Sequence, residues 1–365
     1  MIQVRFTYLL FTSFLLYLDS VLSFIHHDHC SYPAFFTSLS TFTIPSSLFH
    51  ASQSDYHLSV SSHDPLIDST TDDACRVQPI GIYSNFAEYA WNRLQSVGLV
   101  DVTDLDPSIR KDSSIQKIDS SFVRIHVVSA RPQNDILRYA RYALLESITD
   151  HPYYNVTSSV NGTHVLNFVL FPDANLGIPI PILGIDLVTL PGGKNLCAID
   201  FQPILPHIIF NDYLNTWPEK YISFERDLQR IHAKYVKERN ITWGGDIPDS
   251  ASRFFSPYAL WTRFKSDPEN KVIFDDIYPA FIAYVDLYID LLLQIKQDMN
   301  RSTMKVNEDE NGDEAKYVQD IIQGHQDYLR YRRERDPARP MLKKFFGEEW
   351  TETLIQTKLF PIELL

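Results

Sequence analysis

Asp186 stands in the middle of a run too apolar to tolerate an idle carboxylate, residues 163–203, reading THVLNFVLFPDANLGIPIPILGIDLVTLPGGKNLCAIDFQP. An ionised Asp in such surroundings is strongly disfavoured unless it is paired, so burial is expected to push its pKa up and leave it partly protonated at neutral pH. A protonated buried carboxyl is a proton donor. The same residue has a plain structural reading, in which backbone donors or a buried Arg tie it down. A second carboxyl, Asp336, falls at the step Arg335-Asp336-Pro337, where an Asp before Pro reads by itself as a turn former. Arg332 lies one helical turn earlier on the same face and is placed to lower the pKa of Asp336.

The elements that must hold Asp186 are legible around it. Segments 163–171, 182–190 and 195–201 are rich in Val, Ile, Leu and Phe, and are separated by turn residues: Pro172, Asp173, Asn175 and Gly177, then Pro191, Gly192 and Gly193. They predict consecutive, largely buried antiparallel strands in a sheet running from Phe122 to about Phe201. Ahead of the sheet, Asn85 with Glu88 makes a capping-box pattern, and Phe86, Ala90, Leu94 and Val97 an apolar stripe, predicting a helix near 86–97. Behind it, past a Pro-rich segment ahead of Ile209, the pattern turns mostly helical. Helices are expected near 222–238, over 277–296 with Phe281, Val285, Tyr288 and Leu292 facing the core, and over 317–335, stopped by Pro337. Asp286 and Asp290 fall on another face and are expected to be solvated, while Asn307 to Glu314 (NEDENGDE) predicts an exposed loop. Sheet in the middle with helices before and after predicts α/β, a three-layer α/β/α sandwich with a central antiparallel sheet.

GIDLVTLPGGKNLCAIDFQP resembles the signature region of the ferredoxin-dependent bilin reductases, and the resemblance continues through FFSPYALWTRF (Phe254 to Phe264), YPAFIAYVDLYIDL (Tyr278 to Leu291) and RDPARPMLKKFFGEEWTETLIQTKLFP (Arg335 to Pro361). With HVLNFVLFP, these blocks cover most of the chain from about Phe122 onward, in the family's order. DLVTLP, FFSP-x-x-LWTR and DPAR-x-ML are most similar to the branch that forms phycoerythrobilin. The phycocyanobilin-forming branch carries a glutamate and a histidine where this chain has Ala143 and Asn167. The resemblance implies the same three layers, with pigment between the sheet and the C-terminal helices. It implies Asp186 and Asp336 as the proton-transferring pair, Asn167 as a residue orienting the pigment, and Arg332 as one that tunes Asp336 or pairs with a pigment carboxylate. Arg263 and Arg138 are further candidates for the propionates; Ser256 either hydrogen-bonds a propionate or starts a helix. The implied reaction is two-electron reduction of the A-ring of 15,16-dihydrobiliverdin to phycoerythrobilin. Reduction of biliverdin to 15,16-dihydrobiliverdin, a four-electron sequence, or a non-catalytic bilin carrier are the alternatives. The implied partners are a reduced 2Fe-2S ferredoxin, an open-chain tetrapyrrole, and the preceding bilin reductase or a bilin lyase. Family members pass single electrons from ferredoxin straight to the bilin, and the chain has no dinucleotide fingerprint, phosphate loop, CxxC or HExxH; no flavin, nicotinamide or metal cofactor is expected.

With 33 Lys and Arg against 46 Asp and Glu, the net charge of −13 opposes nucleic-acid binding. It would also repel an acidic ferredoxin, so docking needs a local basic surface. Arg330, Arg332, Arg333, Arg335, Arg339, Lys343 and Lys344 could form one, or simply solvate a helix face. The N-terminus carries Arg5, an apolar stretch from Phe6 to Leu18 and small residues at Ser20 and Ser23, the layout of a signal peptide over 1–23. A Ser- and Thr-rich segment over 24–72 then predicts a plastid transit-type extension, leaving one domain over 73–365 with no membrane anchor in the mature form. His26, His27, Asp28 and His29 cluster inside that leader and are assigned no role. Plain secretion is the rival: sequons at Asn155, Asn161, Asn240 and Asn300 favour it, and the three cysteines, too few for a disulfide framework, oppose it.

Overall fold

Strict alternation along the central strands divides their side chains between two apolar layers, and this is what allows helices to cover both faces of one sheet. The structure, a computed structural model, describes residues 81–115, 121–149, 162–205, 221–237, 247, 249–266, 270–302 and 312–361. All lie within the unit Gln78–Leu365. The leader, the sequons at Asn155, Asn161 and Asn240, and the acidic stretch 307–311 fall outside the described residues.

The described chain runs α1 (Ser84–Ser96), β1 (Ile109–Ile115), β2 (Ser121–Ala130), β3 (Leu137–Thr149), β4 (His164–Pro172), β5 (Ile182–Leu190), β6 (Lys194–Gln202), α2 (Ile222–Lys237), β7 (Leu260–Lys265), α3 (Tyr278–Ser302), α4 (Gly312–Arg335), α5 (Arg339–Phe346) and α6 (Glu348–Leu354). The seven strands pair in sequence order, each antiparallel to its neighbour. One face, with Leu166, Phe168, Ile185, Leu187, Ile199 and Phe201, packs under α1, α2 and α3. The other, with Val127, Tyr139, Ala143, Val169 and Phe171, packs under α4, α5, α6 and the C-terminal turn ending at Phe360. The expected three layers and antiparallel sheet are present.

Four local expectations need correction. The capping box at Asn85 does not form: α1 starts at Ser84, with Tyr83 at its N-cap and no side-chain cap bond. Instead Glu146 of β3 closes that end, accepting from the Ser84 hydroxyl at 3.4 Å and lying against the backbone of Gly81, where a Cβ would collide with it. Asp286 and Asp290 are not simply solvated. Arg93 of α1 pairs with them at 3.2 and 3.6 Å, and Tyr89 donates to Asp286 at 2.8 Å, so the two acids pin α1 to α3. Strands β1 and β7 lie outside the expected sheet, because IRKDSSI is too polar and LWTRFK too short and too isolated among helical signals to announce a strand. Finally, α4 begins at Gly312, inside the stretch expected to be a loop, while ending as expected at Arg335. Between β5 and β6, Gly192 and Gly193 adopt φ of +82° and +72°, a turn only glycine enters without strain.

Candidate active site

One row of side chains crosses the sheet on the face covered by the C-terminal helices: Val127, Ala143, Asn167, Asp186, Ala198 and Trp261 occupy paired positions on β2 through β7. Asn167 and Asp186 are direct cross-strand partners, and the Asn167 side-chain amide donates to Asp186 Oδ1. Small Ala143 and Ala198 on either side leave that pair standing above the sheet.

From the opposite layer, Arg332 of α4 reaches down and places Nη2 3.3 Å from Asp186 Oδ2, with the two side chains only 12% and 27% exposed. Asp186 is thus a half-buried carboxylate in an ion pair, not the isolated buried acid that its apolar sequence context predicts. The tie to a buried Arg, the alternative reading of this residue, is present. Burial alone would depress the Arg332 guanidinium, but Asp186, Tyr328 and Asp336 outweigh it and drive its pKa up, so it stays charged.

Asp336 comes next along the same helical layer. It is buried, and its Oδ1 accepts the backbone N–H of Ala338 at 2.7 Å, an Asx turn that starts the Pro337 corner. Desolvation pushes its carboxyl above the usual range; Arg332 and the Ala338 N–H oppose this, and the charge of Asp186 adds to it. Two carboxyls of unlike environment therefore share one guanidinium: Asp186 bonded to it directly, Asp336 acting on it through space. Such an arrangement can keep one carboxyl as proton donor while the other is a carboxylate.

The remaining candidates separate. Arg263 is on β7, on the same face as Asp186, two strands over and two residues along, roughly 12 Å away by strand spacing. It is exposed, with its guanidinium 5.6 Å from the Trp261 ring. Arg138 is not in this cleft. The β3–β4 register slips between Leu137 and Tyr139, and Arg138 at that slip lines a separate cavity of about 160 Å³ with Asp173, its partner at 4.0 Å, and buried His325. Ser256 is buried and committed: its hydroxyl and backbone N–H both donate to Asp200, the latter at 2.8 Å, which removes it as a free propionate donor. Of the expected basic surface, Arg332 points inward, Arg330 pairs with Asp327, Arg339 with Glu352, and Lys343 with Glu348 and Glu352. Arg335 and Lys344 are exposed and Arg333 is partly so.

Three residues beneath the cleft escaped the sequence reading. Asp200 of β6, fully buried opposite Gly184, is pushed up to about 7 by burial despite its bonds from Ser256 and the Phe201 N–H. Tyr328 of α4 donates to Gln202, for which Gly184 makes room. Arg141 of β3 is buried without exposure, two residues from Ala143 on the same face. Its period-two spacing with Tyr139 and Ala143 was the available signal. Among the described residues no group of His, Cys, Asp and Glu is placed to hold a metal ion.

A sheet face bearing an ion-paired carboxylate, roofed by helices that bring a second buried carboxyl, makes this an α/β/α protein with two carboxyls and a shared guanidinium between its layers. A family model described as ferredoxin-dependent bilin reductase matches residues 156–361. The phycoerythrobilin:ferredoxin oxidoreductase of Nostoc punctiforme is 39% identical over 203 residues, 56% of this chain and 68% of that protein. Its namesake in Prochlorococcus marinus strain MIT 9211 is 29% identical over 285 residues, 76% of this chain and 95% of the relative. The crystal structure of phytochromobilin synthase from tomato in complex with biliverdin superposes with a TM-score of 0.53 at 22% identity, covering 77% of this chain and 84% of that one, a likeness of fold. The chain belongs to the ferredoxin-dependent bilin reductase family and is an oxidoreductase.

Proposed function

We propose that this enzyme reduces the A-ring of 15,16-dihydrobiliverdin to phycoerythrobilin, taking two electrons singly from reduced ferredoxin and two protons through Asp186 and Asp336. The observation that carries the reading is the sharing of one guanidinium, Arg332, by two carboxyls, one reaching the pigment face from the sheet and one from the helices. Similarity to relatives named phycoerythrobilin:ferredoxin oxidoreductase supports the product. Ala143 and Asn167 support it as well, since neither can supply the acid and imidazole of the phycocyanobilin-forming branch.

Asn167 fixes the Asp186 carboxylate by its side-chain amide and orients the pigment above it. Arg332 bonds to Asp186 and opposes the upward push that burial gives Asp336, and Arg263 at the sheet edge is the better placed of the expected propionate partners, because Arg138 lies elsewhere. Single-electron delivery makes the bound intermediate a radical: the first electron gives a radical anion, a proton turns it into a neutral radical, and the second electron and proton pair the remaining spin. No further resident cofactor is part of this scheme. Arg333, Arg335 and Lys344 form the docking surface for ferredoxin, next to Asp336. The leader layout supports delivery to a plastid through a signal over 1–23 and a transit extension over 24–72, which N-terminal sequencing of the native protein would test. There the product would pass to a bilin lyase.

The decisive assay is anaerobic turnover of the chain from about Asp73 onward, with reduced ferredoxin and either biliverdin or 15,16-dihydrobiliverdin, read by absorbance and chromatography. Phycoerythrobilin from the dihydro compound alone is expected. Conversion of biliverdin would move the activity to the 15,16 bridge or to a four-electron sequence, and tight binding without reduction would make the protein a carrier.

A further inference from the structure

Arg141 is the largest wholly buried side chain among the described residues, and its own contacts do not account for its charge. Nε donates to the Leu359 carbonyl at 2.7 Å and one terminal nitrogen to the Asn167 carbonyl at 3.4 Å, both neutral acceptors. The other terminal nitrogen is buried and has no hydrogen-bond partner. A buried cation without a bonded counterion is strongly disfavoured unless opposite charges nearby compensate it. Here those charges are Asp186, two strands away on the same sheet face, and Asp336 in the helical layer. The Phe360 ring stacks against the guanidinium carbons of both Arg141 and Arg332, at 4.9 and 5.1 Å, and Arg332 in turn pairs with Asp186.

We propose that Arg141 is a positioning residue for proton delivery: through Phe360, Arg332 and its field across the sheet, it is the second positive charge that balances Asp186 and Asp336. The inference rests on the reductase reading. Once Asp336 has given up its proton, Arg332 alone leaves one guanidinium against two carboxylates, and the next electron arriving on the pigment would meet net negative charge. With Arg141 the two pairs balance. In the first half of the reaction reduced ferredoxin is oxidised by one electron, the pigment becomes a radical anion, a carboxyl O–H breaks and a new C–H bond forms, leaving a neutral radical. A second electron and a second proton complete the dihydro product, and solvent reprotonates the carboxyls.

The titratable groups around Arg141 and Asp336 come from β3, β5, β6 and α4, and Tyr139 among them is neutral at neutral pH. Facing Arg141 are Tyr139 on its own strand, Asp186 on β5, and Tyr328 and Arg332 on α4. Facing Asp336 are Arg332, Asp186 and Arg141, while Asp200 on β6 acts on Tyr328. Burial lowers the Arg141 guanidinium to about 10, still charged at neutral pH.

Arg141 also helps anchor the C-terminal segment, so its test must separate charge from anchoring. Tyr139 offers the control, because its hydroxyl donates to the Lys358 carbonyl at 2.7 Å and anchors the same segment without a charge. The full chain is prepared as wild type, Arg141→Met, Arg141→Lys and Tyr139→Phe. Carboxyl titration is followed by the infrared band of protonated Asp, assigned by its loss in Asp336→Asn, and turnover with reduced ferredoxin is measured against pH. In Arg141→Met the carboxyl midpoint and the alkaline limb of turnover are expected to move up by roughly one pH unit. Arg141→Lys should restore both to near wild-type values, and Tyr139→Phe should leave both in place. Equal or absent shifts in Arg141→Met and Tyr139→Phe would reduce Arg141 to a structural anchor. If Arg141→Met does not fold, Arg141→Gln keeps a donor to Leu359 while removing the charge, and is read the same way. A wild type that reduces no bilin would overturn the reductase reading, while the infrared midpoints would still decide the role of Arg141.

Discussion

Arg332 bonds to Asp186 and acts on Asp336 only through space, so the two acids should respond differently to neutralisation. Asp186→Asn removes the counterion of a largely buried guanidinium and is expected to lower stability by about 2 kcal/mol in urea unfolding. Asp336→Asn forfeits no direct ion pair and should change stability less. Both variants are expected to bind bilin with near-native spectra and to stall before product. Unchanged turnover in both would remove them from the mechanism. Burial raises the Asp336 carboxyl, and its protonated form is the proposed donor, so wild-type turnover should fall as pH rises through that elevated value. Asp186 was legible as a polar residue in an apolar strand, and Arg332 from its helical spacing to Asp336. Their contact was not, because no local pattern links residues from facing layers. Arg141 and Asp200 were hidden for a related reason: each sits at a normal inward position of its strand, and only the packing above reveals the unbonded terminal nitrogen of Arg141 and the full burial of Asp200.

The elements show the same division between local and nonlocal information. The runs forming β4, β5 and β6 are apolar enough to be read within a residue or so, whereas β1 and β7 become strands because a neighbour offers them an edge. The start of α1 is the clearest case. Its first residue is held by Glu146, a strand residue far along the chain that accepts from the Ser84 hydroxyl, and so no capping box could have signalled it. Burial pushes Glu146 up to about 7 from 4.5, partly offset by Arg124 and Ser84. The folded state therefore holds this proton more tightly than the unfolded chain does. The stability it contributes is full below pH 4.5 and is lost as pH rises toward 7. Its cross-strand neighbour His164 has the opposite slope: burial lowers it to about 4 from 6.5, and its contribution disappears as pH falls through that window. Glu146→Gln should accordingly gain about 1–2 kcal/mol over wild type at pH 8 and little at pH 4.5, measured by thermal unfolding. An equal difference at both pH values would mean that Glu146 is not protonated in the fold.

Across the whole molecule, a net charge of −13 leaves the approach of an acidic partner to a small exposed basic group, since several neighbouring cations are already paired with Asp327, Glu348 and Glu352. Raising ionic strength should therefore slow ferredoxin-driven turnover while leaving bilin affinity nearly constant, as steady-state rates and pigment titrations in parallel would show. If both fell together, the pigment rather than the partner would be held by exposed charge. The sequential order of the sheet also affects synthesis on the ribosome. Every strand of the meander emerges next to a partner that has already been made, so pairing can proceed cotranslationally without waiting for distant chain. Arg332, Asp336 and the Phe360 segment are made after the last strand. Until those segments are made, Asp186 lies on a sheet face without its second layer, and a nascent chain has no roofed site in which to hold a bilin.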